Sequence, residues 1–414
     1  MSFNKSFLLI STNYFPEPTA TGKYNGELID WLIKKGHDCT VITTYPHYPF
    51  WKIQPPYKGR FFKKEIFSSA DNGKLTVYRC PCYIPSVPSG ANRLLMESTF
   101  LFSSIFIIAR LLFKMKLDYV LAIAPPFHMA LPALLYRFFK KAVVIFHIQD
   151  LQVDAAQGLG MLKNKSLFNV LYKIERVFLK KSNFVSSISD GMIRKIKFKI
   201  DRDVILFPNW VDTNQLHYIA DKTLLKNKWG YSTNQFICLY SGGIGEKQGL
   251  DTIINAANLL KGNNKFKFVI CGSGQYKSVL QQMAKEYNLQ NVDFLPLQDK
   301  VVFNEFLNMA DLHLIIQKSQ AGDLALPSKL TSILAVGGIT LVTANPQTTL
   351  YDLITKNDVG FICKPEDPQS LVDTLLNIYD DNIEGKRLNA ISYAKKYIHI
   401  DNVINDFLLT IEKP

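Results

Sequence analysis

The sequence predicts an α/β protein with two Rossmann-like domains, each a parallel sheet with helices on both faces. Short apolar runs alternate with amphipathic stretches, and this alternation stops once and restarts near the middle of the chain. The chain has 414 residues, more than a single core usually spans. The runs are apolar throughout, which indicates strands buried on both faces, as in parallel sheets.

The first half contains several apolar runs that predict strands. They are 6–11, 39–43, 118–123, 142–146, 184–189 and 203–207. Amphipathic stretches between them, such as Gly26 to Lys35 and Lys165 to Lys181, predict helices. The longest uncharged apolar run, 98–109, has 12 residues, which is fewer than a bilayer span needs. We interpret it as part of a buried helix over 92–116 rather than a membrane-dipping one.

The alternation restarts after the stretch that begins with Pro208. The runs 235–242, 266–272, 292–296, 311–317 and 339–344 predict the strands of a second sheet. We therefore expect an N-terminal domain over 1–205 and a C-terminal domain over 206–385. We expect the helices of 386–414 to return towards the N-terminal domain.

Charge is distributed unevenly along the chain. Residues 1–205 carry 29 Lys and Arg against 14 Asp and Glu, whereas the rest carry 19 against 21. A basic first half is typical of proteins that face anionic lipid, acidic carbohydrate or nucleic acid, although a merely solvated basic surface explains it equally well. The sequence has no zinc-finger spacing and no RNA-binding signature, so nucleic acid is the weakest of these partners.

Cysteine usage and the N-terminus indicate the compartment. The six cysteines form no CxxC pair, and two of them lie inside apolar runs. This pattern is typical of buried thiols in a reducing compartment rather than of a disulfide framework or a zinc site. No cleavable signal peptide is recognisable, so we expect a cytoplasmic protein.

The stretch GSG at 272–274 lies between an apolar run and a predicted helix. Small residues at this junction leave backbone N–H groups free and let a ligand approach the backbone, which suits a phosphate or a nucleotide. A plain tight turn is the alternative explanation. Ligands of open α/β sheets bind beyond the carboxyl ends of strands, and other loops there also carry unusual residues.

These loops resemble those of a known family. The segments NYFPEPTATGKYNGELIDWLIKKGHDCTVIT, HIQDLQVDAAQGLG, FPNWVD, YSGGIGEKQGL and LPSKLTSILAVGG span nearly the whole chain in family order. The chain resembles the GT-B-fold glycosyltransferases of glycosyltransferase family four, in particular the colanic acid biosynthesis fucosyltransferases. The resemblance implies a retaining transferase that moves a sugar of the fucose or N-acetylfucosamine class from a GDP- or UDP-linked donor. It also implies a C-terminal domain that binds the donor and an N-terminal domain that binds the acceptor.

The resemblance also implies the residues that bind the donor. Gly22 would let the first loop approach the diphosphate, Lys247 or Gln248 would take the place of the family's phosphate-binding lysine, and the GSG stretch would lie beside the nucleoside. The complete implied set is Gly22, Gly242, Gly243, Lys247, Gln248, Gly272, Ser273, Gly274, Asp323, Ser328, Lys329, Leu330 and Ser332. A lysine and N–H donors at this place would stabilise the charge that develops on the leaving nucleoside diphosphate.

Two residues of the first half are implied catalytic residues. His147 would orient the donor sugar rather than act as a nucleophile, and a satisfied histidine at a strand end is the alternative. For Asp150 the sequence leaves two alternatives, which are a catalytic role and an N-cap of the following helix. The sugar develops oxocarbenium character, and in this family the leaving phosphate is thought to help deprotonate the acceptor hydroxyl.

The sequence departs from the family pattern in two places. Many relatives carry two glutamates eight positions apart, where this chain has Leu324 and Ser332, and the neighbouring Asp323 is the candidate to replace one of them. Gly243 stands where an arginine is usual. The string Asp201-Arg-Asp203 matches a metal-binding pattern, but it precedes a strand, so we expect a solvated turn, no bound metal and no cofactor beyond the donor.

The sequence leaves three alternative functions to be weighed. A sugar-nucleotide 2-epimerase shares the fold but needs carboxylates that are few here. A dehydrogenase is disfavoured because no GxGxxG follows the first strand and no acidic residue ends the second. A non-enzymatic binder of polyanions or lipid would explain only the basic half.

We expect a transferase of bacterial surface polysaccharide biosynthesis. We expect it to bind peripherally to the inner face of the cytoplasmic membrane, to use a lipid-linked saccharide as acceptor and to have no nucleic-acid partner. Segment 57–67 and the predicted helix 92–116 suit such a surface.

Overall fold

The computed structural model describes residues 4–57, 61–68, 73–87, 89–154, 165–319, 326–379 and 383–412. The chain divides into two compact units. Unit 1 comprises 1–207 and 407–414, and unit 2 comprises 208–406. Unit 2 is therefore inserted into unit 1 along the chain.

Unit 1 is built on one twisted sheet. Its strands are β1 (Ser6–Ile10), β2 (Asp38–Thr44), β3 (Lys63–Phe67), β4 (Leu75–Cys80), β5 (Tyr119–Ala124), β6 (Val143–Ile148), β7 (Phe184–Ser187) and β8 (Ile205–Leu206). They lie in the order β3-β4-β2-β1-β5-β6-β7-β8. Neighbouring strands are parallel except β3, which pairs antiparallel with β4 at the edge. Neither strand was predicted from the sequence. Strand β3 carries exposed lysines, which is typical of an edge strand and leaves no continuous apolar run.

The helices of unit 1 are α1 (Ala20–Lys34), α2 (Gly90–Lys114), α3 (Ala130–Lys140), α4 (Lys165–Lys181) and α5 (Asp190–Lys199). Helix α1 begins six residues before the predicted Gly26, because the Thr19 hydroxyl caps it by accepting a hydrogen bond from the Gly22 N–H (3.0 Å). Gly22 thus lies in the first turn of the helix.

Helix α2 corrects the interpretation of the apolar run 98–109. The helix has 25 residues and is long and apolar enough to cross a membrane, by length and composition only. One side packs on the unit through Phe100, Ile107 and Leu111, but only 33% of its most apolar 18-residue window is buried. The helix is therefore half-covered rather than buried.

Unit 2 is built on a second, smaller sheet. Its strands are β9 (Phe236–Gly243), β10 (Phe266–Ser273), β11 (Val292–Leu295), β12 (Leu312–Ile315), β13 (Thr340–Thr343) and β14 (Gly360–Cys363). They lie in the order β11-β10-β9-β12-β13-β14, and all pairs are parallel. The helices are α6 (Lys222–Lys228), α7 (Asp251–Leu259), α8 (Lys277–Glu286), α9 (Lys300–Asn308), α10 (Lys329–Ala335), α11 (Thr349–Asn357), α12 (Pro368–Tyr379) and α13 (Glu384–Tyr397).

Two parallel-dominated sheets with helices confirm the predicted α/β fold class. The division at 207/208 lies two residues from the predicted boundary. At the other end the structure differs: residues 386–406 group with unit 2, and only 407–414 group with unit 1. The last helix, α14 (Ile400–Glu412), contains this second crossing. Phe407 stacks on Phe207 with ring centroids 3.8 Å apart, so both ends of the insertion meet within unit 1.

Candidate active site

The β9 and β10 loops of unit 2 are joined by glycine-to-backbone contacts. A Cβ built on Gly272 would overlap the carbonyl oxygen of Gly242, and one built on Gly274 would overlap that of Ile244. The Ile244 N–H donates to the Ser273 carbonyl (2.9 Å), which fixes the pairing. The GSG stretch is therefore required by close backbone approach, whether or not a nucleotide also lies there.

Lys329 reaches the end of β9 from the start of α10. Its ammonium lies 3.5 Å from the ring centroid of Tyr240, and a Cβ built on Gly242 would lie only 3.0 Å from its Nζ. Burial lowers the pKa of this lysine to about 7. Of the predicted donor residues, the structure therefore brings Gly242 and Lys329 together directly.

The other predicted residues near Lys329 have mostly structural contacts. Ser328 precedes α10, and its carbonyl accepts a hydrogen bond from the Thr331 hydroxyl (3.0 Å). Leu330 is buried in the hydrophobic core of the unit, and Ser332 is also buried. The side chains of Leu330 and Ser332 thus lie in the packed interior of unit 2. The role of Ser328, Leu330 and Ser332 in donor binding stays a prediction.

Gln248 lies in the loop after β9. Its side-chain oxygen accepts a hydrogen bond from the Gly245 N–H (3.1 Å). Gln248 is thus used to close its own turn. Lys247 lies in the same 3-10 turn, and its side chain is outside the described part of the structure. Gly243 is exposed and has open space where a side chain would be. Asp323 and Leu324 lie outside the described residues.

Sequence reasoning missed three residues at this edge of the sheet. Tyr240 donates a hydrogen bond to the Gly243 carbonyl (2.7 Å) while its ring faces Lys329. Lys277 donates to the carbonyls of Gly272 and Leu295 (3.2 and 2.9 Å). Glu366 accepts from the Ser319 N–H (3.1 Å) beyond β12. Tyr240 lies within an apolar run, so the sequence alone indicates a core residue. Of the three, only Lys277, five residues after Gly272, could have been recognised from the sequence as a residue of this edge.

The equivalent edge of unit 1 is closed by side chains. Glu17 is buried, and its Oε1 accepts hydrogen bonds from the N–H groups of His47 (3.0 Å) and Tyr48 (2.8 Å). Its Oε2 accepts from the Asn13 side-chain amide (2.6 Å). A Cβ on Gly22 would lie 2.7 Å from the Glu17 carbonyl oxygen, so this glycine is needed for the packing of its own loop.

His147 lies within β6 and is buried. Its Nδ1 shares a hydrogen bond with the Ser186 hydroxyl (3.0 Å), and its ring packs edge-on against Phe207 (5.1 Å between centroids). Burial lowers its pKa to about 3, so the imidazole is neutral. These are the contacts of a satisfied core histidine, and the predicted contact with a donor sugar stays a prediction. Asp150 follows β6 and is half-buried.

A second buried carboxyl lies beside the same loops. Both oxygens of Glu97, on α2, accept hydrogen bonds from the Gln152 side-chain Nε2 (3.1 and 3.2 Å), and the Gln152 side-chain Oε1 accepts one from the Phe127 N–H (3.2 Å). Burial raises the pKa of Glu97 to about 7. His128 lies next to it, with its Nε2 3.4 Å from the Glu97 main-chain oxygen, and burial lowers its pKa.

No group of three or more potential metal ligands occurs among the described residues. Asp203, of the Asp201-Arg-Asp203 string, is fully exposed and pairs only with Lys197 (3.6 Å) among those residues. Asp154, after β6, pairs with buried Lys199 on α5, which also pairs with buried Glu175 on α4 (2.5 Å). These carboxylates are part of ion pairs that hold elements of unit 1 together.

Comparisons with known proteins identify a matching family model and relatives of this chain. The family model of glycosyl transferases group 1 matches residues 221–397. A putative colanic acid biosynthesis glycosyl transferase of Escherichia coli K12, WcaI, is 36% identical over 410 residues, covering 97% of this chain and 98% of the relative. A probable glycosyltransferase of Pseudomonas aeruginosa, WbjE, is 24% identical over 253 residues, covering 59% of this chain and 61% of the relative.

Solved structures share the fold at low identity. Sucrose-phosphate synthase from Thermosynechococcus elongatus has a TM-score of 0.76 at 12% identity, covering 99% of this chain and 98% of that one. WaaG, a glycosyltransferase involved in lipopolysaccharide biosynthesis, has a TM-score of 0.67 at 14% identity, covering 97% and 98%. Anabaena HepE, solved in complex with UDP-glucose, has a TM-score of 0.67 at 12% identity and covers 99% of each chain.

Proposed function

The chain belongs to the group 1 glycosyl transferases, and from this premise we propose that unit 2 binds a nucleoside diphosphate sugar whose sugar is transferred to a saccharide acceptor. We further propose that the product is a bacterial surface polysaccharide, as the name of the Escherichia coli relative suggests, and that the sugar is of the fucose or N-acetylfucosamine class. HepE, a neighbour in fold, binds UDP-glucose, which supports a nucleotide-linked donor.

The observation that carries this proposal is the lysine at the glycine-lined end of β9. Lys329 places an ammonium against Gly242, where a side chain would take up the space. A cation beside exposed backbone suits a diphosphate, because the backbone N–H groups and the ammonium can bind several phosphate oxygens together.

The reaction follows from what the site stabilises. The bond between the anomeric carbon and the phosphate oxygen breaks, and the leaving nucleoside diphosphate gains negative charge that Lys329 and backbone N–H groups would stabilise. The acceptor hydroxyl forms the new bond to the anomeric carbon, and its proton passes to the leaving phosphate. We propose retention of configuration by attack on the face that the diphosphate leaves, without a carboxylate nucleophile and without a metal ion.

Titration calorimetry with GDP, UDP and NAD tests the donor class. We expect GDP or UDP to bind and Lys329→Ala to weaken that binding about tenfold or more, as expected for the loss of a charge-assisted phosphate contact. Lys356→Ala is the matched control. It also removes one lysine charge from unit 2, but this lysine is exposed in the last turn of α11 and pairs with Asp352. Binding of NAD alone, or of none of the three, contradicts the proposal.

We also propose that unit 1 docks peripherally on an anionic membrane surface that presents a lipid-linked acceptor, on the cytoplasmic side. Unit 1 carries 30 Lys and Arg against 15 Asp and Glu. On α2, Leu95, Phe102, Phe106 and Phe113 follow one another at intervals of seven, four and seven residues, so they form one stripe, and all are at least half exposed. This α2 apolar stripe ends beside the exposed Arg110 and Lys114, a combination typical of membrane-surface helices.

Flotation with vesicles tests this docking. At low salt the protein should float with phosphatidylglycerol vesicles and remain at the bottom with phosphatidylcholine vesicles, because the cationic surface needs anionic lipid. Phe102→Ser with Phe106→Ser should weaken vesicle binding about 100-fold or more, since each buried phenylalanine contributes about 1.5–3 kcal/mol. Leu297→Ser with Val301→Ser, exposed apolar residues of unit 2, is the matched control. A wild-type protein that stays at the bottom with both vesicles overturns the proposal.

A further inference from the structure

Tyr240 connects two parts of the unit 2 site. The residue is buried in β9, its hydroxyl donates to the Gly243 carbonyl (2.7 Å), and its ring centroid lies 3.5 Å from the Lys329 ammonium. One side chain therefore contacts both the glycine turn and the lysine.

Among the residues that the structure describes, the partner of the Lys329 ammonium is an aromatic face. Among the described residues no carboxylate forms an ion pair with Lys329, and desolvation is the cause of its lowered pKa. A charge placed in a partly buried position without any partner is costly, and the negative face of an aromatic ring offsets part of that cost. Gly242 completes the arrangement, since a Cβ there would lie 3.1 Å from the lysine Cε and would displace the end of the lysine side chain.

This choice of partner matters for an anion-binding residue. A carboxylate would pair with the ammonium strongly, neutralise its field, and compete with an incoming phosphate. An aromatic ring keeps the ammonium in position with a weaker attraction and leaves its charge available. The ammonium can then contact a phosphate without first breaking an ion pair, so less binding free energy is lost to rearrangement.

We propose that Tyr240 is a positioning residue that holds Lys329 by its ring and the Gly242–Gly243 turn by its hydroxyl, and so preorganises the place where the donor diphosphate binds. This inference rests on the proposed function, because it takes the ligand to be a nucleoside diphosphate. Tyr240 acts through Lys329 and the turn, and it does not itself touch the ligand.

The two contacts of Tyr240 can be separated by substitution. Tyr240→Phe keeps the ring and removes the hydroxyl, whereas Tyr240→Leu removes both. We expect GDP or UDP, whichever the wild type binds, to bind Tyr240→Phe within about threefold of wild type and Tyr240→Leu about tenfold more weakly. Binding of the parent nucleoside should be the same in all three proteins, because the nucleoside carries no phosphate for Lys329 to contact.

A double-mutant cycle tests whether the effect passes through the lysine. Tyr240→Leu should weaken GDP or UDP binding much less in a Lys329→Met background than in the wild type. Fluorinated phenylalanines at position 240 give a second test that keeps shape and packing. Each added fluorine lowers the electron density of the ring face, so affinity should fall stepwise along the series.

The outcomes separate this inference from the proposed function. A wild type that binds neither GDP nor UDP overturns both. Normal nucleotide binding by wild type with unchanged affinity in Tyr240→Leu and across the fluorinated series overturns the role of Tyr240 alone. Equal losses from Tyr240→Leu with and without Lys329 also overturn it, because the tyrosine would then act on the fold rather than on the lysine.

Discussion

Units 1 and 2 close the carboxyl edges of their parallel sheets in different ways. In unit 2 the loops after β9 and β10 meet backbone to backbone at Gly272 and Gly274. In unit 1 the loops are joined by buried carboxylates, Glu17 and Glu97, which accept hydrogen bonds from neighbouring loops. The glycine edge of unit 2 is formed by backbone, whereas the edge of unit 1 is occupied by carboxyl side chains that already accept hydrogen bonds.

The outer surfaces of the units differ as strongly. The described phenylalanines that are exposed all belong to unit 1, and they are Phe15, Phe50, Phe61, Phe62, Phe67, Phe102, Phe106, Phe113, Phe138, Phe139 and Phe198. Unit 2 carries 18 Lys and Arg against 20 Asp and Glu, so its surface is nearly neutral in sum. One fold class thus supports a backbone-closed glycine edge in one unit and a basic surface with exposed aromatic side chains in the other.

The largest expected effect concerns the glycine edge of unit 2. Gly272→Ala should destabilise unit 2 by more than about 3 kcal/mol, because its Cβ would overlap the Gly242 carbonyl and neither backbone can move without breaking the β9–β10 pairing. Gly243→Ala, with open space at its Cβ, should change stability by less than about 0.5 kcal/mol. Urea unfolding followed by circular dichroism measures both. Equal stability of the two variants would show that the loops are not closed by backbone contact.

The carboxylate edge of unit 1 should be almost as sensitive. Glu17→Ala leaves the buried N–H groups of His47 and Tyr48 without their acceptor, which should cost about 2–4 kcal/mol. Glu17→Gln keeps an oxygen acceptor and should lose less than half as much. The same urea experiment applies, and a Glu17→Ala variant as stable as wild type would mean that the loop does not depend on this carboxylate.

Glu97 predicts a pH dependence specific to unit 1. Burial raises its pKa to about 7 in the folded protein. Between the usual glutamate pKa and about 7, the folded state therefore binds more protons than the unfolded state. The free energy of unfolding falls as the pH rises through this window. Glu97→Gln should remove up to about 2 kcal/mol of that fall. Thermal unfolding at several pH values between 5 and 8 in about unit steps measures it. Parallel pH curves for the two proteins would contradict the assignment.

The smallest effect concerns affinity rather than stability. Lys329 has a pKa of about 7 in the free protein, and a bound diphosphate favours its charged form, so binding above neutral pH takes up a proton. Affinity for GDP or UDP should be flat below the pKa of the free lysine and fall by up to about tenfold per pH unit above it. Lys329→Arg stays charged and should abolish this slope. Calorimetry in buffers of different ionisation enthalpy would detect the proton uptake, and a flat profile for wild type would contradict it.

The sequence predicted the fold and part of the site because both leave local signals. Apolar runs marked most strands, but the edge strand β3, KKEIF, has no buried face to produce such a run. Glycines 272 and 274 were recognised from their position after a strand, but a sequence does not distinguish a glycine that admits a ligand from one that admits another loop. Tyr240, Glu17 and Glu97 were missed because their roles depend on partners that are distant in sequence and meet only in the fold.

The insertion of unit 2 into unit 1 has a consequence for synthesis. Unit 1 is interrupted at Phe207 and resumes at Phe407, whose ring stacks on the ring of Phe207. On the ribosome unit 2 can therefore emerge whole and fold while unit 1 still lacks its closing piece. A chain truncated before Phe407 would keep all of unit 2 but would lack the segment that packs on Phe207, so unit 2 can be completed earlier in synthesis than unit 1.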